Sequence, residues 1–371
     1  MKPFSKKTAI VIYSVIGLFL IATLIFTLHN ESFYKRTIGK ITAVQVVEEE
    51  SIQDAYGNED LRTSQQLTVQ ILNGAYKGEQ LQIDNSYTKS GAYDEAYRQG
   101  QKVFVGIHER ESVLEGEVVD AKRDSYFVLI VSFFVIVLLI VGNKQGLFSI
   151  ISFLVNAFIL SLALDLYVAY PSISLVVICG IAALFFSTFS LLLVNGRNVK
   201  TYTAIISTLL GTIASLTIAF IAIKLTNGNG LRYEEMQFIT RPYEMVFLAS
   251  LFVGSLGAVM DIAITMTASL FEIFEKNHDI SLAQLKASGM NIGKDVMGTM
   301  TSILFFVYVS GSLPMLILYL KNGASLNFAL SINLSLELAR ASAGGIGVVL
   351  TIPIGLYTAL FFIRRKKKVS A

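Results

Sequence analysis

The sequence predicts a polytopic α-helical membrane bundle of about eight spans that carries one small extracytoplasmic all-β domain. Of the 371 residues, 53% are hydrophobic and only 15% are charged, and the mean hydropathy is +0.61. This composition is too apolar for a soluble globule of this size. Apolar runs of about 20 residues, long enough to cross a bilayer, recur along the chain. One polar segment, 31–124, interrupts them.

The apolar runs define the predicted elements in order. Residues 1–30 are predicted to be a membrane anchor, because their apolar core is longer than that of a cleaved signal peptide and no small-residue cleavage site follows it. Residues 31–124 form the β domain, and residues 125–371 form a seven-span membrane domain with a basic cytoplasmic tail. The predicted spans are 8–28, 125–142, 147–168, 172–194, 201–224, 243–271, 298–320 and 342–363.

Lysine and arginine are distributed unequally between the two sides of this bundle. With the N-terminus inside, fourteen of them fall at cytoplasmic ends and five in short outer loops. The positive-inside rule therefore predicts that both termini are cytoplasmic and that residues 31–124 lie outside. The net charge of +3 reflects this topology. Because the outer domain holds more acid than base, a nucleic-acid partner is excluded.

The predicted topology can be tested with two introduced cysteines. On intact cells, an impermeant thiol reagent should label a cysteine at Ser64 and leave one at Ser370 unlabelled. Equal labelling of both positions would overturn the topology, and with it the depth assigned to each membrane motif. The single natural cysteine, Cys179, lies within the fourth span, so the outer domain contains no disulfide.

Alternation of apolar and polar residues in 31–124 predicts about five strands, which suit an OB-like barrel or a sandwich. The alternating residues are Leu67, Val69 and Ile71, then Leu81 and Ile83, then Val103, Val105 and Ile107. Asn73-Gly74 and Lys77-Gly78 predict the loop of a hairpin between the first two of these strands. The polar stretches 50–64 and 85–99 are predicted to be loops.

The most informative candidate residue is Asp261, near the middle of the sixth span. A carboxylate inside a membrane costs about 2.5–3.5 kcal/mol and often marks an ion or substrate path. Small or polar residues share its helical face, and we call this face the small-residue stripe: Gly254, Gly257, Ala258, Asp261, Thr265, Ala268, Ser269 and Glu272. We expect this stripe to pack closely on a second helix, and Asp261 to be buried against the seventh span.

The seventh span is unusually polar for a membrane helix. Its hydroxyls at Thr301, Ser302 and Ser312 are expected to form an ion path with Asp261, Thr265 and Ser269. Gly298 is predicted to be a packing position. Pro314 predicts either a break of the kind that lines transporter binding sites or a kink used only for packing.

Two more segments carry candidate contacts. Glu337 and Arg340, three residues apart before the last span, are predicted to form an ion pair. This pair is either an ordinary interface contact or an outer access site. Residues 279–289 predict a short cytoplasmic helix with Asp279 or Ser281 as its N-cap and Gly289 at its end. This helix either joins two spans or docks a cytosolic partner.

Enzyme and cofactor motifs are missing from the chain. The glycines of 289–295 have the wrong spacing for a phosphate-binding loop. His29, His108 and His278 are too scattered to form a zinc site, and nucleophile-elbow and zinc-protease motifs are lacking. The sequence therefore predicts no catalytic residue, metal, cofactor or enzymatic activity.

Three runs in the membrane domain resemble the YibE/F-like family of bacterial multi-span membrane proteins. They are GSLGAVMDIAITMTASLFEI, DVMGTMTSILFFVYVSGSLPMLILY and GGIGVVLTIPIGLYTALFF. The order of anchor, outer β domain and bundle is similar to that of the longer, YibE-type members. Asp261, Gly257, Asp295, Gly298 and Pro314 fall on the family pattern, whereas the segment 336–343 departs from it. The resemblance implies a bacterial plasma membrane and a shorter companion protein that lacks the outer domain.

Two functions from different classes remain in front of a third, an intramembrane enzyme, which is weakest because Asp261 lacks a second carboxylate or base at matching depth. The chain is either a permease or ion-coupled transporter subunit that uses Asp261 as its proton- or cation-binding group, or a non-enzymatic envelope assembly or sensing scaffold whose β domain binds a partner. A polar cavity that reaches Asp261 would favour transport, and a dry, fully paired Asp261 would favour the scaffold. The expected partners are the lipid bilayer and either the family companion or a second copy.

Overall fold

The computed structural model describes residues 6–91, 94–110, 113–236 and 242–370 of the chain. The chain divides into two compact units, Lys2–Gly146 and Leu147–Ala371. In chain order the long helices and strands are α1 Lys6–Leu28, β1 Ile38–Gln53, β2 Glu59–Ile71, β3 Gln80–Thr88, β4 Lys102–Arg110, β5 Val113–Ala121, α2 Asp124–Ala169, α3 Leu175–Asn195, α4 Val199–Thr226, α5 Tyr243–Lys276, α6 Leu282–Lys321 and α7 Leu326–Ser370.

The five strands form one antiparallel sheet in the order β3-β2-β1-β4-β5. The strand alternation and the β2–β3 hairpin are therefore confirmed, but the sheet is not closed into a barrel. The expected loop at 50–64 is wrong, because β1 and β2 continue as a paired arm from Val46–Gln65 to Gln53–Glu59. Beyond Ile41, β1 has no paired strand on its β4 side in the described residues.

The core of the sheet comes from the alternating residues that the sequence identified. Leu67, Val69 and Val103 are fully buried, and Tyr97 covers the same cluster. Tyr97 thus serves the small core. Tyr93, in the same polar stretch 85–99, lies outside the described residues.

Asp124, the first residue of α2, is the centre of a polar cluster within the first unit. Its carboxylate accepts hydrogen bonds from Asn30 Nδ2 at 3.0 Å, Tyr34 Oη at 3.1 Å and Lys122 Nζ at 2.7 Å. Lys122 Nζ also donates to the carbonyl of Thr27 at 2.7 Å. This cluster joins the end of α1 to the start of α2, because carbonyls at a helix C-terminus lack intrahelical partners.

Lys102 makes a second contact of the same kind. Its ammonium group donates to the carbonyl of Leu28 and to the carboxylate of Glu31. Burial raises the pKa of Glu31, but the hydrogen bond from Lys102, a backbone hydrogen bond and the charges of Lys102 and Lys122 together lower that pKa below its ordinary value. The end of α1 is therefore held by two lysines, Lys102 at the start of β4 and Lys122 directly after β5.

The described chain contains seven helices that are long and apolar enough to cross a membrane. The second and third predicted spans belong to one helix, α2, which is interrupted at Asn143 with φ 48° and ψ −123°. A Cβ added to Gly146 would lie 2.2 Å from the carbonyl oxygen of Leu138. Residues eight apart in a straight helix are separated by about 12 Å, so the chain bends sharply at this break.

Helices α4, α5 and α7 pack together at the centre of the second unit. Two buried clusters carry this packing, one around Met266 and Leu356 and the other around Phe247 and Leu251. The face of α7 that runs through Asn333, Glu337, Arg340, Gly344 and Gly347 is buried or half-buried. Helix α7 is continuous from Leu326 through the last predicted span, so these five residues share one helical face.

Helix α6 differs from its prediction in two ways. The expected N-cap at Ser281 is confirmed, with a capping box to Gln284, but the helix does not end at Gly289 and runs on to Lys321. Gly289 is instead a contact point, since a Cβ there would lie 2.7 Å from Leu270 and Leu356 side-chain atoms. The helix also continues through Pro314, so the predicted break is wrong.

Candidate functional site

Asp261 lies near the midpoint of α5 and its side chain is exposed on the surface of the second unit. The expectation that Asp261 is buried is therefore wrong for the isolated chain. Within the described residues the carboxylate makes no hydrogen bond and no ion pair. Gly257, one turn earlier, is also exposed, and a Cβ added there meets no atom within 4 Å.

The face of α5 that packs is the one opposite the small-residue stripe. Val259, Ile262 and Met266 are at most 1% exposed. The small residues that allow close approach belong to the neighbouring helices: a Cβ on Gly211 of α4 or Gly347 of α7 would lie 3.0 or 2.8 Å from Val259 methyl groups. The bulky face therefore fits against glycines elsewhere, and the stripe remains open.

The residues of the stripe divide into two groups. Ala258, Thr265 and Ser269 are half-buried, and the other members are exposed: Gly254, Gly257, Asp261, Ala268 and Glu272. One side chain of α6 approaches the beginning of the stripe, since a Cβ on Gly254 would lie 2.5 Å from Tyr308 Oη. Helix α6 thus contacts the beginning of the stripe but not its centre at Asp261.

The hydroxyls of α6 do not join Asp261. Thr301 Oγ1 donates to the carbonyl of Met297 at 2.9 Å, and Ser302 Oγ donates to that of Gly298 at the same distance. Both side chains are exposed, as is Pro314. A Cβ on Gly298 meets no atom within 4 Å, so the expected packing contact at Gly298 is not observed in the described chain.

The structure does bring Ser312 to the predicted ion pair. Glu337 and Arg340 are hydrogen-bonded, and their side chains are 23% and 19% exposed. The pair borders a cavity of about 210 Å³, the α6–α7 cavity, together with Gly311, Ser312 and Asn333. Arg340 also lies 5.4 Å above the ring of Phe247, which is fully buried. The ion pair is therefore confirmed and fixed on two sides.

Helix α4 carries a row of buried hydroxyls that the sequence did not lead us to expect. Ser207, Thr208, Thr212 and Ser215 are at most 1% exposed, and Ser215 Oγ donates to the carbonyl of Ala343 on α7 at 2.7 Å. We call this row, with the α7 residues facing it, the central seam. Its signal was the recurrence of Ser and Thr at intervals of one, four and three residues in an apolar span.

The central seam is tightly packed. A Cβ on Gly211 would lie 2.2 Å from Thr351 Oγ1. Most hydroxyls of the seam bond to carbonyls of their own helix, such as Thr351 to Gly347 at 2.6 Å. Thr208 Oγ1 is buried without a hydrogen-bond partner in the part of the chain that the structure describes. Close helix packing is therefore found here, at the position opposite the predicted stripe.

These features define a class of protein: a polytopic helical membrane protein with a small antiparallel β domain near its N-terminus. Residues 130–365 match the model of the YibE/F-like protein family, and residues 32–121 match the YibE/F family N-terminal domain. The chain belongs to the YibE/F family. Comparisons with curated proteins and with solved structures gave no significant match.

Among the described residues, no cluster of three or more histidine, cysteine or acidic side chains has the arrangement of a metal site. The predicted site residues of the membrane unit form two charged sites: Asp261 on its open face, and the Glu337–Arg340 pair at the α6–α7 cavity. The two sites differ in kind, because the first lacks a protein partner in the described chain and the second is paired.

Proposed function

We propose that the protein is a permease or ion-coupled transporter subunit of the bacterial plasma membrane, with Asp261 as its proton- or cation-binding group. The observation that carries this proposal is the unpartnered carboxylate near the midpoint of a 34-residue apolar helix. Hydrocarbon disfavours a bare carboxylate by several kcal/mol (about 2.5–3.5 on insertion scales). Binding of a proton or a cation would remove this cost.

The surroundings of Asp261 suit reversible binding. Gly257 and Thr265 lie one turn before and one turn after it on the same face of the helix. The glycine leaves space beside the carboxylate, and the threonine hydroxyl is a hard oxygen ligand one turn away. Because binding a proton or cation neutralises the carboxylate, it changes the cost of exposing this face to lipid.

A second chain completes the path in this proposal. A small-residue face allows another helix to approach closely, and in lipid this packing drives helix association. The exposed, open position at Gly257 supports a partner helix at the stripe, either from a shorter family companion or from a second copy. The α6–α7 cavity, with its fixed ion pair, is the proposed access site for a polar solute.

The alternative function is an envelope assembly or sensing scaffold whose β domain, predicted to lie outside, binds a partner. The open edge of β1 beyond Ile41 favours this function. Exposed strand edges accept an added strand from another chain, and Val46 and Val47 are more than half exposed on this arm. In the scaffold, Asp261 would serve only to satisfy polar groups across a helix interface.

Asp261→Asn is the decisive substitution. The amide is nearly isosteric and the side chain is exposed, so the variant should fold normally. It should nevertheless fail to complement a deletion strain, because an amide can neither release a proton nor neutralise a cation. In native membranes, dicyclohexylcarbodiimide, which modifies protonated carboxyls in apolar surroundings, should label Asp261 more strongly in acidic than in alkaline buffer, as peptide mass spectrometry would show.

Glu272→Gln provides the matched control. Glu272 belongs to the same stripe but lies near the end of α5, exposed and paired with Lys276 at 2.8 Å. This variant should complement fully and leave the labelling of Asp261 unchanged. A well-folded Asp261→Asn protein that complements as well as Glu272→Gln does would contradict the transport proposal and favour the scaffold function.

A further inference from the structure

An apolar groove of about 520 Å³ opens between α3, α4 and α5. It lies where α3 begins, α4 ends and α5 begins, the end of the bundle that the charge asymmetry predicts to be outside. The groove, which we call the α3–α5 groove, is lined mainly by Val176, Leu216, Phe220, Met245 and Leu248. Its floor joins two buried clusters, so the recess is a feature of the packed helices.

Two opposite charges stand at the mouth of this groove. Lys224 Nζ of α4 lies 3.4 Å from Glu244 Oε2 of α5, and the two side chains are 59% and 41% exposed. Lys224 Nζ also lies 5.9 Å from the ring centre of Phe220. A long, exposed ion pair contributes little to stability. Each of the two side chains can therefore leave the pair and bind a ligand group of opposite charge.

We propose that the α3–α5 groove binds a zwitterionic phospholipid, with an acyl chain in the groove, the phosphate on Lys224 and the headgroup ammonium on Glu244. The apolar lining matches an acyl chain, and the adjacent cation and anion match the two charges of the headgroup. An anionic phospholipid would satisfy Lys224 but place a negative charge beside Glu244. The charge pattern at the mouth therefore selects the zwitterion.

This binding site is separate from the proposed transport machinery. The groove shares no lining residue with the small-residue stripe or with the α6–α7 cavity. The lipid-binding proposal and the transport proposal can therefore be tested independently of each other. An occupied groove would fix α3, α4 and α5 against one another at this end of the bundle.

The test uses the purified full-length protein, titrated with phosphatidylethanolamine, phosphatidylglycerol and diacylglycerol and followed by native mass spectrometry. The wild type should bind phosphatidylethanolamine about tenfold more tightly than phosphatidylglycerol, the factor expected for one charge-assisted hydrogen bond. Glu244→Gln should abolish or reverse this preference. Lys224→Gln should weaken both phospholipids towards the level of diacylglycerol, which lacks a charged headgroup.

Two control variants separate the groove from general lipid contact. Arg232→Gln removes an exposed cation that lies 3.9 Å from Glu234 and does not line the groove, so it should leave all three affinities unchanged. Thr217→Trp fills the groove from an exposed lining position and should weaken all three lipids. Equal binding of the two phospholipids by the wild type, or a preference that both Glu244→Gln and Lys224→Gln leave intact, would overturn the proposal.

Discussion

Gly211→Val should prevent the membrane unit from folding, whereas Gly257→Val should leave it intact. At Gly211 the first added carbon would lie 2.2 Å from Thr351 Oγ1 and 3.0 Å from a methyl group of Val259. Thr351 and Val259 are fully buried, so neither side chain has space to move away. Overpacking a core costs about 1–3 kcal/mol and sometimes more. We expect the loss of stability in this β-branched variant to be at or above that upper limit.

Fluorescence-detected gel filtration of detergent-solubilised membranes would measure this difference as the yield of monodisperse protein and its melting temperature. Gly257 is the matched control, because it is also a helical glycine and yet has no atom within 4 Å of an added Cβ. Equal loss at the two positions would mean that folding of the membrane unit itself, and not only its association with a second chain, depends on a helix packed at Gly257. Equal tolerance would contradict the packing of the central seam.

Asn73→Ala should unfold the β domain. Asn73 Oδ1 accepts a hydrogen bond from the amide of Ile38 at 2.6 Å, and Nδ2 donates to the carbonyls of Glu31, Tyr34 and Arg36 at 2.8–3.2 Å. Alanine would leave the buried amide of Ile38 and the partly buried carbonyls of Tyr34 and Arg36 without this partner, whereas the carbonyl of Glu31 still accepts from the amide of Tyr34. An orphaned buried group costs about 1–3 kcal/mol, so the summed loss should be a large part of the stability of a small domain.

Limited proteolysis of the full-length protein, with cleavage inside 31–124 as the readout, would detect this unfolding. Gln82→Ala is the control, since Gln82 is exposed and its amide bonds only to Thr68 Oγ1 at 3.1 Å. Asn73→Asp should not rescue the domain, because it would place a carboxylate against three carbonyls. Wild-type resistance of the Asn73→Ala protein would show that the connector 29–37 does not depend on this side chain.

Local patterns predicted much of the fold. Alternation gave the positions of the strands and the buried face of the sheet, because side chains of a strand point to opposite faces in turn. Ser281 was one of the two expected N-cap residues of α6 and is the one observed, and the spacing of Glu337 and Arg340 predicted their ion pair. Each of these features depends on residues within one turn or one strand of each other.

The errors have two different causes. Residues 50–53 and 59–64 pair within a hairpin of β1 and β2, although their side chains are mostly polar and lack the apolar alternation by which the other strands were recognised. Gly289 lies inside α6 because it provides a close contact with Leu270 and Leu356. Those two leucines are distant from Gly289 in sequence, so the local composition could not indicate the contact.

The sequence by itself determined that this is a membrane protein of the YibE/F family, that a carboxylate lies in the middle of one apolar helix, and that small residues share its face. Only the tertiary structure decided which face of α5 packs. In water the apolar face of a helix is the buried one, but lipid is as apolar as leucine, so hydrophobicity does not mark the packed face. Gly211 and Gly347 on other helices receive the bulky side of α5, and Asp261 is left on the open side.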